Sequence, residues 1–260
     1  MRFGLTEHQH AVVTRALVLE ESRRTHLVVA VSGAHAYGFP SPDSDVDVKA
    51  IHIHPTRLLL GLRPAVLHAD RLETVDGVEV DYSSNELGGV LTGLLGGNGN
   101  YLERILGGFT WSRHAWLGEL IPLARASLSR RVHRHYHGFS GGQLQALEET
   151  PVKTVKKVLY VLRTALTGLH VLRTGDVVPD LTLLMERYGF ADAAILVQRK
   201  RAGERTPMED SEYARWRARL LEARAALDAA VLNSVLPEEP PNEAALEAWL
   251  LEVRKRAWDL

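Results

Sequence analysis

The stretch Val31-Ser-Gly-Ala-His-Ala-Tyr-Gly-Phe-Pro-Ser-Pro-Asp-Ser-Asp-Val-Asp-Val48 decides the fold. It reads as a strand, a glycine-containing turn, an irregular loop, then a strand that opens with two aspartates one residue apart. Residues i and i+2 of a strand share a face, so Asp45 and Asp47 project side by side while Val46 and Val48 point into a core. Adjacent anions raise each other's pKa unless a cation sits between them. A bound divalent metal meets that need. Mg²⁺ takes one or two carboxylates, keeps some water and completes its shell with substrate phosphate.

Working outward, Thr6 to about Arg24 reads as an amphipathic helix opening on a Thr6…Gln9 capping box. Leu27–Val31 is a short buried strand, and Asp45–His54 is the second strand. Pro55 and Pro64 break the chain into a loop that carries the apolar patch Leu58-Leu-Leu60. Leu72–Val75, Asp76-Gly77 and Val78–Tyr82 form a hairpin pattern, because Asp-Gly suits a tight primed turn. Glu79 and Asp81 share one face of its second strand, and either can supply a third carboxylate beside Asp45 and Asp47. A helix is expected from about Ser84 to Leu95. From Trp111 onward no strand is expected. Thr150-Pro151 reads as a helix start running through Leu172 to a stop at Gly175. Further helices are expected at Leu181–Tyr188, Asp192–Arg201, Asp210–Val235 and Glu243–Trp258.

The stretch with Gly33, Ala36, Tyr37, Gly38, Ser44, Asp45, Asp47 and Val48 resembles the signature of the DNA-polymerase-β-like nucleotidyltransferase superfamily. It is most similar to the branch of predicted bacterial nucleotidyltransferases, some associated with RNA repair. The resemblance covers the N-terminal half, and more loosely the helical half to about Leu184. It implies an α/β fold: a small mixed β-sheet domain over residues 1–113, followed by an all-α domain over 114–260, with the active site in the cleft between them. The implied reaction moves a nucleoside monophosphate from an NTP, ATP among them, to a hydroxyl, releasing pyrophosphate. Asp45, Asp47 and Asp81 would bind Mg²⁺ (or Mn²⁺), with Asp81 favoured over Glu79 by its place just before Ser83-Ser-Asn-Glu-Leu87. Ser32, Gly33, Ala34 and Ser44 would hold the triphosphate, Ala34 standing where the family usually has a serine. Lys157 or Arg163 would offset developing charge. Asn98-Gly-Asn-Tyr-Leu-Glu103 resembles a supporting Asn-Pro-Asn-x-x-Glu element, with Gly99 replacing proline. Relatives suggest an RNA or tRNA 3′ end as acceptor. A protein or small-molecule hydroxyl, a non-catalytic nucleotide-binding module and metal-dependent phosphoester hydrolysis are the other readings.

Composition sets outer limits. The 260 residues are 45% hydrophobic and 24% charged, with no cysteine and a formal net charge of −1. Disulfides, thiolate metal sites and a cysteine nucleophile are therefore excluded, and no global basic footprint marks a nucleic-acid binder. No apolar run reaches membrane-spanning length and no signal-peptide pattern is seen, so a cytoplasmic location and no membrane partner are expected. Lys153, Lys156, Lys157, Tyr160, Arg163 and Thr164 lie on or near one helix face, read either as a phosphate-binding face or as a solvated one. Arg130-Arg-Val-His-Arg-His-Tyr-His137 reads as a polar segment connecting helices, with RNA contact or a histidine metal site as alternatives; Tyr136 and Gly138 resemble a family element. His52 and His54 are expected to pack rather than ligate. Walker A, Gly-x-Gly-x-x-Gly and Gly-x-Ser-x-Gly motifs are missing from the sequence, which removes those nucleotide-fold and hydrolase classes.

Overall fold

The computed structural model describes residues 2–63, 65–204 and 206–260; Pro64, read as a chain breaker, lies outside the described residues. In chain order the first elements are α1 (Glu7–Glu21), β1 (Thr25–Val31), α2 (Gly33–Tyr37), β2 (Val46–Ile53), α3 (Thr56–Leu59), β3 (His68–Val75) and β4 (Val78–Glu86). Next come α4 (Leu87–Leu95), α5 (Gly99–Leu106), β5 (Thr110–Arg113), α6 (Leu117–Ala126), α7 (Val132–Glu149) and α8 (Val155–Thr174). Last are α9 (Leu181–Leu184), α10 (Ala194–Arg201), α11 (Asp210–Ala230) and α12 (Glu243–Arg256). The fold is α/β. Two compact units are formed, one from residues 1–33, 45–127 and 240–260, the other from 34–44 and 128–239. The chain thus changes unit at 33/34, 44/45, 127/128 and 239/240, whereas the sequence reading divides it once, near residue 113.

The first unit holds a five-stranded mixed sheet of order β3-β4-β2-β1-β5. β2 and β4 are parallel, and the other neighbours run antiparallel. The capping box at α1 is complete: Thr6 Oγ1 accepts from Gln9 N–H at 3.1 Å and Gln9 Oε1 accepts from Thr6 N–H at 2.9 Å. Val12, Val13 and Leu17 of α1 cover one sheet face, where Val46, Val48, Ala50, Val80 and Tyr82 point. α4 and α5 lie against the sheet as well. At the hairpin tip both Asp76 (φ 49°) and Gly77 (φ 79°) are left-handed, as a two-residue primed turn requires.

Three sequence expectations for this unit change. β4 runs on through Glu86, because Ser83–Glu86 complete the parallel ladder to His52, so the helix begins only at Leu87. Thr110–Arg113 is a strand after all, a four-residue edge on β1 too short to show period. The segment after Pro55 folds into the short helix α3 instead of remaining a loop, leaving Leu58 and Leu60 exposed. The C-terminal helix also joins this unit. Arg254 of α12 grips Glu86 through two hydrogen bonds of 2.6 and 2.9 Å, and Glu86 caps α4 by accepting from Gly88 N–H. Burial alone would raise the Glu86 carboxyl, but Arg254 outweighs it and holds it below its ordinary value.

The second unit is built on α8, whose residues are buried almost throughout, with α7 and α11 alongside. Thr150-Pro151 ends α7 rather than starting α8: Thr150 is the C-cap, and proline just beyond a C-cap cannot continue a helix. Lys153 Nζ donates to the carbonyls of Leu147, Glu148 and Thr150, placing a cation at the negative end of α7. Thr154 is the true N-cap of α8, and Gly175 (φ 77°) ends it in the left-handed conformation. Arg130–His137 is not a connector but leads into and forms the first turns of α7, with Tyr136 fully buried. Three other helices end early, α9 at Leu184, α11 at Ala230 and α12 at Arg256. No helix among the described residues is long and apolar enough to cross a membrane.

The Glu86–Arg254 pair yields a stability test. Removing one partner of a buried pair leaves the other charge stranded, so Arg254→Ala should cost about 3 kcal/mol in urea unfolding. Lys255→Ala, which removes an exposed pair with Glu252, should cost under about 0.5 kcal/mol. Equal losses would mean that α12 is not held through Glu86.

Candidate carboxylate site

Backbone pairing builds the site. In the parallel β2–β4 ladder Asp47 lies directly beside Asp81, with Val46 beside Val80 and Val48 beside Tyr82. The valines and Tyr82 face the α1 core, so Asp47 and Asp81 share the opposite face. Strands about 4.8 Å apart leave two such anions repelling by about 3 kcal/mol at an effective dielectric near 20. The protein answers with Lys49, two residues along β2 on the same face. Its Nζ lies 2.8 Å from Asp81 Oδ2 and 3.6 Å from Asp47 Oδ1. The side chains of Asp47 and Lys49 are 16% and 18% exposed, that of Asp81 40%. Asp45 is half-buried at the entrance to β2. Carboxylate oxygens converging on a cation are the donor set of a hard divalent metal, and here an ammonium stands in the corresponding place.

Gly33 is required by the same geometry. Its φ of +59° is left-handed, and a Cβ at this position would collide with the Asp47 carboxylate. Ser32 N–H donates to Asp47 O at 2.9 Å, which locks the turn onto β2. On the same face Arg104 of α5 donates to Ala50 O at 3.1 Å and Asn85 Oδ1 at 2.6 Å. Asn98 caps α5 by accepting from Asn100 N–H at 3.0 Å. The Asn98–Glu103 element therefore seats a helix on the carboxylate-bearing face. His52 is buried with Nδ1 2.8 Å from Ser84 Oγ, and burial pushes its pKa down to about 4.

The remaining sequence-derived residues lie in the second unit. Ala34 is fully buried. Ser44 belongs to a buried network: Lys200 Nζ donates to Ser41 Oγ at 2.8 Å, Ser44 Oγ at 3.1 Å and Glu204 Oε2 at 2.5 Å. Ser44 Oγ donates to Glu204 Oε2 at 2.9 Å, and Lys156 pairs with the other Glu204 oxygen. Arg163, only 2% exposed, stacks 3.6 Å over the Tyr37 ring. Lys157 Nζ rests 2.5 Å from Thr150 Oγ1, a hydroxyl that leaves its charge in place. His133 and His137, one turn apart on α7, both lie 2.7 Å from Asp228 Oδ1. These three ligand atoms could hold a cation. The carboxylate is nonetheless already met by two imidazoles, and the Arg224 guanidinium lies 3.4 Å from His137 Nε2. The structure thus gathers Asp47 and Asp81 around Lys49 with Ser32 and Gly33 alongside, and it gathers Ser44 with Lys200, Glu204 and Lys156.

Residues 9–252 match the model of the RNA repair pathway DNA polymerase beta family. The chain belongs to that family. The match continues well past Leu184, through most of the helical part. Uncharacterized protein MJ0002 of Methanocaldococcus jannaschii is 25% identical over 236 residues, covering 89% of this chain and 94% of that one. Uncharacterized protein YcgL of Bacillus subtilis is 28% identical over 201 residues, covering 74% and 76%. A nucleotidyltransferase-like protein from Exiguobacterium sibiricum aligns with a TM-score of 0.33 and 13% identity over 94% of this chain and 79% of its own. Family membership supports a transferase of the nucleotidyltransferase type.

Three groups escaped the sequence reading of this family member. Lys49 was legible by the i+2 rule applied once more beyond Asp47. Arg104 carried no local signal. The Lys200–Glu204 pair has helical i,i+4 spacing, but its meeting with Ser41 and Ser44 is a long-range fact. Burial would raise the Glu204 carboxyl, yet Lys156 and Lys200 outweigh it and hold it at about 2, down from 4.5. A carboxyl depressed on folding adds stability that is complete above its unfolded pKa and is lost as pH falls through the folded one. Stability should therefore fall between pH 4.5 and pH 2. In Glu204→Gln that part of the profile should be shallower, measured as urea midpoints at stepped pH. An unchanged slope would show that Glu204 is not the group responsible.

Proposed function

We propose that this protein transfers a nucleoside monophosphate from an NTP to the hydroxyl of an RNA 3′ end, with release of pyrophosphate. The observation that carries this reading is the parallel pairing of Asp47 with Asp81, on one face with a cation against both. The family's description as an RNA repair pathway group supports RNA as the acceptor.

Asp45, Asp47 and Asp81 would hold Mg²⁺ or Mn²⁺, which when bound neutralises phosphate oxygens and lowers the pKa of the acceptor hydroxyl. Asp81, whose side chain is more exposed than that of Asp47, would take the proton from that hydroxyl. The hydroxyl oxygen then bonds to the α-phosphorus. The bond from the α-phosphorus to the bridging oxygen of the β-phosphate breaks, and pyrophosphate departs with that oxygen's electron pair. Ser32 and Gly33 would border the phosphates beside Asp47, in the turn whose Ser32 N–H donates to the Asp47 carbonyl. In the second unit, Lys157 is the side chain proposed for triphosphate charge, since a hydroxyl contact leaves it cationic. Arg163 and Ser44, both buried, would act by fixing the segment 34–44, in which Ala34 is packed.

Ala34, standing where the family resemblance implies a serine, favours the second reading, a module that binds NTP without transfer. The deciding assay uses each of four α-labelled NTPs with Mg²⁺ or Mn²⁺ and RNA. Transfer of label into RNA is expected, with Asp45→Asn or Asp47→Asn losing about 10³-fold or more in rate and circular dichroism unchanged. Near wild-type transfer in either variant would overturn the catalytic assignment. Nucleotide binding without any transfer would favour the binding module.

A further inference from the structure

The nucleotidyltransferase reading gives Asp47 and Asp81 a metal to hold, yet their cation in the structure is an amino-acid side chain. Strand parity makes this unavoidable. Residues 47 and 49 of β2 point to one face, and Lys49 sits two rungs from the Asp47–Asp81 pair, beside Ser83. Its Nζ contacts Asp81 Oδ2 at 2.8 Å, Asp47 Oδ1 at 3.6 Å and Asp81 O at 3.5 Å. Its side chain is only 18% exposed. A divalent ion needs carboxylate oxygens at about 2.1 Å, so an ion on these same oxygens lies within strong repulsion of the ammonium. Lys49 and the metal therefore compete for one pair of ligands.

We infer that Lys49 is a resident counter-ion that makes metal loading depend on the nucleotide. Resting on the reading above, this adds a regulatory role at the same site. Without metal, the ammonium cancels the repulsion between Asp47 and Asp81 and keeps them in register. A bare divalent ion must displace it and gains only carboxylates and water in return. An ion arriving on a triphosphate brings phosphate oxygens of its own, and those phosphates also offer the displaced ammonium a new anionic partner. Metal and nucleotide thus bind with positive coupling, and Lys49 sets its size.

The test is calorimetric titration of Mn²⁺ into the full chain, alone and with a non-hydrolysable NTP analogue. Melting temperatures in chelator and in Mn²⁺ accompany it. In the wild type, Mn²⁺ alone should bind weakly and the analogue should tighten it. Lys49→Met should bind Mn²⁺ alone about tenfold more tightly and lose most of the coupling. It should melt lower in chelator and recover in Mn²⁺. Lys49→Arg, which keeps the charge on a flexible aliphatic stem of similar reach, should retain the coupling. The inference is overturned if Lys49→Met, or Lys49→Gln should the former not fold, binds Mn²⁺ alone no more tightly than the wild type while Asp47→Asn abolishes binding. If Asp47→Asn leaves Mn²⁺ binding unchanged, the metal is not on these carboxylates, and the nucleotidyltransferase site assignment falls with the inference.

Discussion

A single rung of backbone pairing, Asp47 beside Asp81, imposes the constraint to which this part of the chain conforms. Parallel strands put paired side chains on one face, so the two carboxylates project side by side from strands about 4.8 Å apart. Lys49 is the nearest residue that parity allows to answer them, and it does so at 2.8 Å. Gly33 is bare because the Asp47 carboxylate occupies the space its Cβ would need. The opposite face is correspondingly apolar, with Val46, Val48 and Val80 packed on α1. Polar and apolar halves of the same two strands are thus consequences of one register, and a slip by one residue would exchange them.

The helical unit solves a different problem. It buries Lys200 completely and Arg163 almost completely, placements that are unfavourable unless every charge is met. Glu204 meets Lys200 and Lys156 together, and the Ser41 and Ser44 hydroxyls complete the set. Arg163 spends its planar face on Tyr37, which also packs edge-on against Tyr160. The effect is to fix the segment 34–44, which lies in sequence between two strands of the sheet yet belongs to the helical unit. Such a network is stable while Glu204 is ionised, which ties the order of this segment to the charge state of one carboxyl.

Membership in the RNA repair pathway DNA polymerase beta family and the carboxylate rung point the same way. The family makes a transferase chemistry the natural use of paired carboxylates. The register shows how a short motif gains a neighbouring carboxylate, since Asp45-Val-Asp47 lies on one stretch of chain and Asp81 comes from a strand more than thirty residues on. The Asp76-Gly77 turn closes the β3–β4 hairpin, its left-handed pair of residues setting the register of β3 against β4, while the pairing of β4 with β2 is what brings Asp81 beside Asp47.

What the sequence determined by itself was local. The capping box at Thr6, the alternation in β2, the primed turn at Asp76-Gly77 and the glycine stop at Gly175 each depend on a few adjacent residues, and each was legible. The Thr150-Pro151 signal was local too but ambiguous, because proline serves equally just inside a helix start and just past a helix end; the cation of Lys153 on the carbonyls of α7 resolves it. Only tertiary structure could choose Asp81 over Glu79 as the neighbour of Asp47, since strand register is a relation between distant segments. The same holds for β5, whose four residues become a strand only by pairing with β1, and for α12, recruited to the sheet unit by Glu86. It holds for Lys200 and Glu204, which reach Ser41 and Ser44 across more than 150 residues. Short-range conformational preference is written residue by residue, whereas the matching of charges is settled only when the chain has closed upon itself.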